Sequence, residues 1–232
     1  MPPRRRLVFT LCAAACVAVA GCGGSTASPA SSNPRTLLSD AKAVLDRSPS
    51  VHFVLTSAGA TGSGTIITGG SGDIARPDTM QGQFTVEQSG FSASIGILAK
   101  GAQFYAKLPF SSRYTATNPA TYGVGNPAQL ISPTSGLSSL LLVISQPRLG
   151  PTTRIGSEVV DQVEGTVPGS AVPVLPDANR SVPVAVTAAI VPSSHQLRRI
   201  TLQGPFTSAA QSTYTVVLSN YGEAVHVTLP GG

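Results

Sequence analysis

Hydrophobic residues fall at every second position through much of this chain, and that alternation predicts β-strands. It is first seen at Val51, Phe53 and Leu55. Further segments of this kind lie at about 64–69, 81–88, 91–99, 102–108, 152–157, 162–167, 183–191, 197–204, 212–219 and 223–229. Short strands separated by turn residues at this spacing favour an antiparallel meander.

A helix is predicted ahead of the strands. Asn33-Pro34 provides a capping residue followed by proline at the first helical position, and Ser48-Pro49 marks the end. Between them the apolar residues recur at helical spacing on one face. These residues are Leu37, Leu38, Ala41, Val44 and Leu45.

The middle of the chain breaks the strand pattern. Four prolines from 109 to 133 exclude long regular elements there. A short, very apolar helix is predicted over 137–144, and no charged residue lies between Arg113 and Arg148. A helix that is apolar on nearly all sides is either buried or lies against a bound apolar ligand. A helical turn is predicted at 168–177.

The order of helix, strands, helix and strands within one domain predicts an α+β fold with a large antiparallel sheet. The strand at 183–191 is apolar on both sides, whereas a sheet with one solvated face should alternate. Two explanations stay open for such strands. They are buried between two layers, or the sheet curves around an apolar cavity.

The first 21 residues are interpreted as an export signal. Three arginines, Arg4 to Arg6, precede an apolar stretch that is shorter than the about 20 residues of a membrane-spanning helix. The stretch ends at Val19-Ala20-Gly21-Cys22, which resembles the bacterial lipobox. We expect cleavage before Cys22, with a diacylglyceryl and an N-acyl group on this cysteine, because stable anchoring needs about two chains. An ordinary secretory signal is the alternative.

These features predict three parts: a signal peptide at 1–21, a flexible tether at 22–34 and a single domain at 35–232. The tether is rich in Gly and Ser and reaches at most roughly 40 Å. We therefore expect the domain to be held at the extracytoplasmic side of the cell membrane by its lipid anchor.

Composition narrows the classes of function. The chain has 15 basic and 10 acidic residues, but three of the basic residues lie in the signal, so the mature chain is nearly neutral. No nucleic-acid partner is expected. Cys12 and Cys16 are lost with the signal, which leaves Cys22 as the only thiol and excludes an intramolecular disulfide.

No motif for catalysis or for a cofactor is found. The chain has no Gly-x-Ser-x-Gly elbow. Its histidines, His52, His195 and His226, lack metal-ligand spacing and are expected to be structural or solvated. The glycine pairs at 70–72 and 123–125 are interpreted as turns. We therefore predict a protein that is not an enzyme and binds neither metal nor cofactor.

Four segments, in order and correctly spaced, resemble one protein family. They are SVHFVLT at 50–56, the stretch from Asn126 to Leu137, SHQL at 194–197, and LSNYGEAVHV at 218–227. In these segments the chain resembles the mycobacterial LppX/LprA/LprF/LprG lipoproteins. It departs from them at Tyr221, where tryptophan is common, and at Pro183–Thr187, so that cavity size and ligand choice stay open.

The resemblance implies a half-barrel sheet with helices on its concave face, enclosing an apolar cavity. Members carry or present multi-acylated lipids or glycolipids of the cell envelope, and for part of the family a transporter of the major-facilitator type is implied as a partner. Apolar side chains would contact the acyl chains. The candidates are Val51, Phe53, Leu55, Phe84, Val86, Ile95, Ile97, Phe104, Leu140, Leu141 and Ile144.

Alternation alone does not say which strand face is internal, so about half of these candidates are expected to be ordinary core. Two other functions stay open. An adhesin or assembly scaffold would use the same fold with a collapsed core, and an esterase would need a reactive serine.

Overall fold

The computed structural model describes residues 33–61, 64–119, 130, 132–172, 181–206 and 211–230. All of them belong to one unit, Ser32–Gly232. The predicted signal peptide, nearly all of the predicted tether, Cys22 and the predicted turn at 123–125 lie outside the described residues.

Within the described residues, eleven strands form one antiparallel sheet. The strands are β1 (Ser50–Ala58), β2 (Thr65–Ala75), β3 (Thr79–Gln88), β4 (Phe91–Lys100), β5 (Gln103–Lys107), β6 (Thr115–Ala116), β7 (Ser145–Ile155), β8 (Glu158–Pro168), β9 (Pro183–Ile190), β10 (Leu197–Gly204) and β11 (Ser212–Ser219). Their order across the sheet is β6-β5-β4-β3-β2-β1-β11-β10-β9-β8-β7. The sheet is open, because its edges are β6 and β7, and the predicted α+β class with a large antiparallel sheet is confirmed.

The two ends of the strands differ in their connections. We call the end at which β1 stops at Ala58 and β2 starts at Thr65 the top, and the end at which β1 starts at Ser50 the bottom. The turns β2–β3, β4–β5 and β7–β8 lie at the bottom and are two or three residues long. Four of the five strand connections at the top, β1–β2, β5–β6, β8–β9 and β10–β11, are six residues or longer. The exceptions to this division are β3–β4, which is two residues long at the top, and β9–β10, which is six residues long at the bottom.

One face of the sheet carries the core. Register pairs Phe53 with Leu218 on β11 and with Gly72 on β2, so the apolar residues of neighbouring strands share this side, which we call the inner face. Its buried side chains form one large cluster together with Leu45 of the first helix and Leu140 of the second. Burial of this continuous apolar surface is the main favourable contribution to folding.

Helix α1 spans Pro34–Arg47 and agrees with its prediction. The Asn33 side chain accepts a hydrogen bond from the Arg35 backbone N–H at 2.9 Å, and Pro34 occupies the first turn. Four of the five predicted apolar residues are buried, namely Leu37, Leu38, Ala41 and Leu45. The apolar side of α1 therefore packs in the core of the inner face.

Helix α2 is shorter than predicted. It spans only Leu137–Leu140, after which the Leu142 and Val143 N–H groups bond to carbonyls three residues back and β7 begins at Ser145. Leu140, Leu141 and Ile144 are buried, but Leu142 and Val143 are exposed. The helix ends because the chain must enter the edge strand β7, which apolar composition does not reveal.

Strand β9 shows why some strands are apolar on both sides. Val184, Val186 and Ala188 lie in the core of the inner face, whereas Ala189 lies on the opposite, outer face with Val160 and Val191. Ile155 packs against this second cluster. At the bottom of β9, therefore, simple burial explains the apolar residues of the outer face.

The predicted strand at 223–229 is wrong. Asn220 and Gly222 have positive φ values of 50° and 82°, and they turn the chain out of the sheet. Strand β11 already pairs with β1 and β10, so no free edge is available beside it. Two hydrogen bonds instead hold the segment at the bottom. The Tyr221 hydroxyl donates to Leu197 O, and Ser50 Oγ donates to the backbone oxygen of Glu223.

Other elements also differ from prediction. Strand β2 continues from Thr65 to Ala75, and β7 starts at Ser145 rather than near residue 152. The proline-rich stretch contains the two-residue strand β6. The helical turn predicted at 168–177 is a 3-10 turn at Gly169–Ala171, and residues 173–177 lie outside the described part of the chain.

Candidate functional site

The inner face is arranged in rows of side chains that run across the strands, because register aligns one residue of each strand with one of the next. The row nearest the bottom is fully buried. It contains Val51, Ile74, Met80, Ala99 and Phe104, none of which is more than 5% exposed. This row is ordinary core.

Two rows toward the top are less enclosed. One contains Val216, Leu55, Gly70, Phe84 and Ile95, and the next contains Ile67, Val86 and Ala93. Leu55, Val86 and Ile95 are only half-buried, as are Ile67 and Val216. Apolar side chains on the inner face thus become accessible toward the top of β1 to β4.

The structure brings the predicted contact residues together. All eight candidates on strands lie on the inner face, so the question of which face is internal is answered for each of them. Leu140, Leu141 and Ile144 join the same core. The Phe53 and Phe84 rings lie 5.8 Å apart between centroids. Contact of any of these residues with an acyl chain stays a prediction.

Three inner-face glycines, Gly70, Gly72 and Gly82, have a packing role that the sequence analysis did not predict. Gly70 and Gly72 lie inside β2, so the predicted turn at 70–72 is wrong. A Cβ on Gly70 would come within 2.6 Å of the Phe84 ring, and one on Gly72 would come within 2.7 Å of the Gly82 Cα. These glycines let Phe84 lie against the sheet and let β2 and β3 approach closely. Their period-two spacing was the available signal.

A polar cluster closes the bottom beside α1. Ser138 Oγ donates to Asp46 Oδ1 at 2.7 Å, and Lys42 Nζ bonds to the same carboxylate and, at 2.8 Å, to the Pro133 carbonyl oxygen. Arg76 donates to the backbone oxygens of Leu45 and Ser48 at 3.1 and 3.0 Å. These contacts fasten α2 and the β2–β3 turn to the end of α1.

A second polar group closes the bottom near the C-terminus. Arg198 forms an ion pair with Glu158, with 2.6 Å between Nε and Oε2, and its guanidinium lies 5.8 Å from the centroid of the Tyr221 ring. The Tyr221 hydroxyl donates to Leu197 O at 2.6 Å. Burial raises the pKa of this hydroxyl far above its ordinary value, and the positive charge of Arg198 opposes the shift only in part.

The three histidines are found in separate settings. His52 Nδ1 lies 2.7 Å from Asp73 Oδ1 on the outer face, His195 occupies a turn, and His226 is exposed. Among the described residues, no three His, Cys, Asp or Glu side chains come together as metal ligands. No helix in that part of the chain is both long and apolar enough to span a membrane.

Comparison with known proteins places the chain in a family. The family described as LppX_LprAFG lipoprotein matches residues 33–227, which is most of the chain. The chain belongs to the LppX_LprAFG lipoprotein family. The predicted resemblance is therefore confirmed, and membership implies a membrane-anchored location in the cell envelope. No curated protein matches the chain.

Two solved structures of family members support the fold. LprF from Mycobacterium bovis is similar with a TM-score of 0.71 and 18% identity, over 86% of this chain and 97% of LprF. LppX from Mycobacterium tuberculosis gives 0.61 and 17%, over 84% of this chain and 98% of LppX. At this identity the two structures show a shared fold, and the function of the inner face must be argued from its own residues.

Proposed function

We propose that this lipoprotein binds multi-acylated lipids or glycolipids against the upper inner face of its sheet and carries or presents them in the cell envelope. The half-buried apolar side chains of that region carry the proposal, with Leu55, Val86 and Ile95 as its centre. Leaving such groups accessible on an otherwise buried face is unfavourable unless a ligand covers them.

Acyl chains suit this surface energetically. Burying each methylene contributes about 0.8 kcal/mol, so one chain of about 16 carbons contributes roughly 12 kcal/mol before the entropic costs of binding. An apolar surface of this kind therefore needs no charged side chain to bind lipid tightly. Polar groups at its edge would meet the headgroup.

The lipid anchor fits the same function. We propose that Cys22 carries the diacylglyceryl and N-acyl groups and keeps the domain at the extracytoplasmic side of the membrane. A tether of roughly 40 Å at most would hold the inner face near its source of lipid.

The first test is the lipid that co-purifies with the mature chain. Organic extraction followed by mass spectrometry should release acylated lipid in a fixed ratio to protein, while the covalent acyl groups of Cys22 stay on the chain. A lipid content no higher than that of a mock purification would contradict the proposal and favour a scaffold with a collapsed core.

A matched pair of variants locates the ligand. Leu55 points to the inner face and its neighbour Val54, 38% exposed, to the outer face. Leu55→Glu would place a carboxylate among acyl chains, so we expect co-purified lipid to fall at least about tenfold, because a charge is costly to bury. Val54→Glu should leave it unchanged. An equal loss in both variants would count against binding at the inner face.

A further inference from the structure

The loop between β5 and β6 presents an aromatic side chain directly to solvent. Phe110 is fully exposed and has a positive φ of 64°, a backbone conformation that bulky residues rarely adopt. Hydrogen bonds within the loop hold this arrangement, from Ser111 N–H to Leu108 O and from Arg113 N–H to Ser111 Oγ. The fold therefore keeps a phenyl ring in water on an ordered and strained turn.

Other exposed apolar side chains lie at the same end of the sheet. Phe91, 81% exposed, begins β4 directly after the β3–β4 turn, and Leu108 follows β5. Of the eight large apolar side chains exposed in the described part of the chain, Phe91, Leu108 and Phe110 therefore lie at the top of β4 and β5.

The charged residues that flank the exposed loop between β5 and β6 have one sign. Lys107 and Arg113 flank Leu108 and Phe110, and no aspartate or glutamate lies between them in the sequence. Near Phe91 the charge differs, because Glu87 at the top of β3 pairs with Ser92. Aromatic and aliphatic side chains flanked by basic ones are characteristic of segments that enter the headgroup region of an anionic bilayer.

We propose that the top of the sheet docks on the membrane, with Phe110 and Leu108 inserted among the lipid headgroups and Lys107 and Arg113 on anionic lipid. The apolar side chains stand on two separate connections, β3–β4 and β5–β6. That arrangement fits insertion of separate tips into a fluid surface better than a single packed protein interface. A chain of this lipoprotein family, tethered at its N-terminus, has such a surface within reach.

The test uses the absence of tryptophan from the chain. Phe110→Trp in the mature chain places a single indole on the loop. The variant is then mixed with vesicles of phosphatidylcholine and phosphatidylglycerol. We expect a blue-shifted emission that brominated phospholipid quenches by at least about half. Ala102→Trp is the matched control, because Ala102 is exposed in the β4–β5 turn at the bottom, and its emission should be unaffected.

Each outcome is decisive. Equal unfolding midpoints for the two variants would establish that both chains are folded. Emission of the Phe110→Trp chain that brominated lipid leaves unchanged would overturn the proposal. Equal quenching at residues 102 and 110 would also overturn it. Because the readout does not require bound cargo, a domain that carries no lipid could still insert Phe110, so this test and the lipid extraction fail independently.

Discussion

The two ends of the sheet differ in their polar contacts and in the exposure of their apolar side chains. At the bottom, most turns are short, and ion pairs and hydrogen bonds that involve Asp46, Arg76, Arg198 and Tyr221 join them to neighbouring elements. At the top, most connections are longer, inner-face side chains are half-buried and the Phe110 ring is exposed. The bottom therefore fastens the ends of the strands, whereas the top leaves apolar side chains uncovered.

The largest difference in the free energy of unfolding is expected between two aromatic substitutions. Tyr221→Ala at the bottom removes a packed ring and its hydrogen bond to Leu197 O, and should lower the free energy of unfolding by about 3 kcal/mol. Phe110→Ala at the top should change it by less than about 0.5 kcal/mol, because the ring is exposed. Denaturant titration of both mature variants measures the difference, and similar losses would refute the division between the ends.

Substitution of two arginines tests the same difference in stability between the two ends. Arg76→Met removes the donors to Leu45 O and Ser48 O at the end of α1, so the free energy of unfolding should fall by about 2 kcal/mol. Arg113→Met at the top is the control and should be nearly neutral for stability, since Arg113 is exposed. If Arg76→Met proved as stable as the unchanged chain, the polar cluster would have no role in holding the bottom together.

The smallest expected effect concerns pH. Because burial raises the pKa of Tyr221 in the folded state, the unfolded chain releases this proton first as pH rises above about 10. The free energy of unfolding should therefore decline above that pH, and be fully retained below it. Tyr221→Phe should show a shallower decline, by about 1 kcal/mol between roughly pH 9 and 11. Identical slopes for the two chains would mean that the hydroxyl is not buried as described.

Much of the fold could be predicted because burial leaves a periodic trace in the sequence. The spacing of Leu37, Leu38, Ala41 and Leu45 predicted α1, and alternation predicted most of the strands. That all eight strand candidates share the inner face was not predicted, because alternation does not say which face is internal. The same alternation gave a wrong strand prediction at 223–229, where the residues alternate in burial but have no strand to pair with. Alternation reports a buried side, and only the topology decides whether a sheet edge is available.

Local chemistry was harder to predict. Gly70 and Gly72 were interpreted as a turn because glycine usually marks one, but here they make room for the Phe84 ring within a strand. The run at 137–144 was predicted to be a helix throughout, although only its first half is helical. The accessible rows near Leu55 depend on contacts across five strands, which no single segment encodes.

The position of β1 beside β11 has a consequence for how the protein is made. This central pair joins His52 to Ser219, so the sheet's middle seam is closed by residues 167 positions apart. Pairings of such long range are slow to form, because a large loop must close before they contribute. The first six strands and the last five therefore share one core only after β11 has paired with β1. We therefore expect the inner face to be completed late in folding.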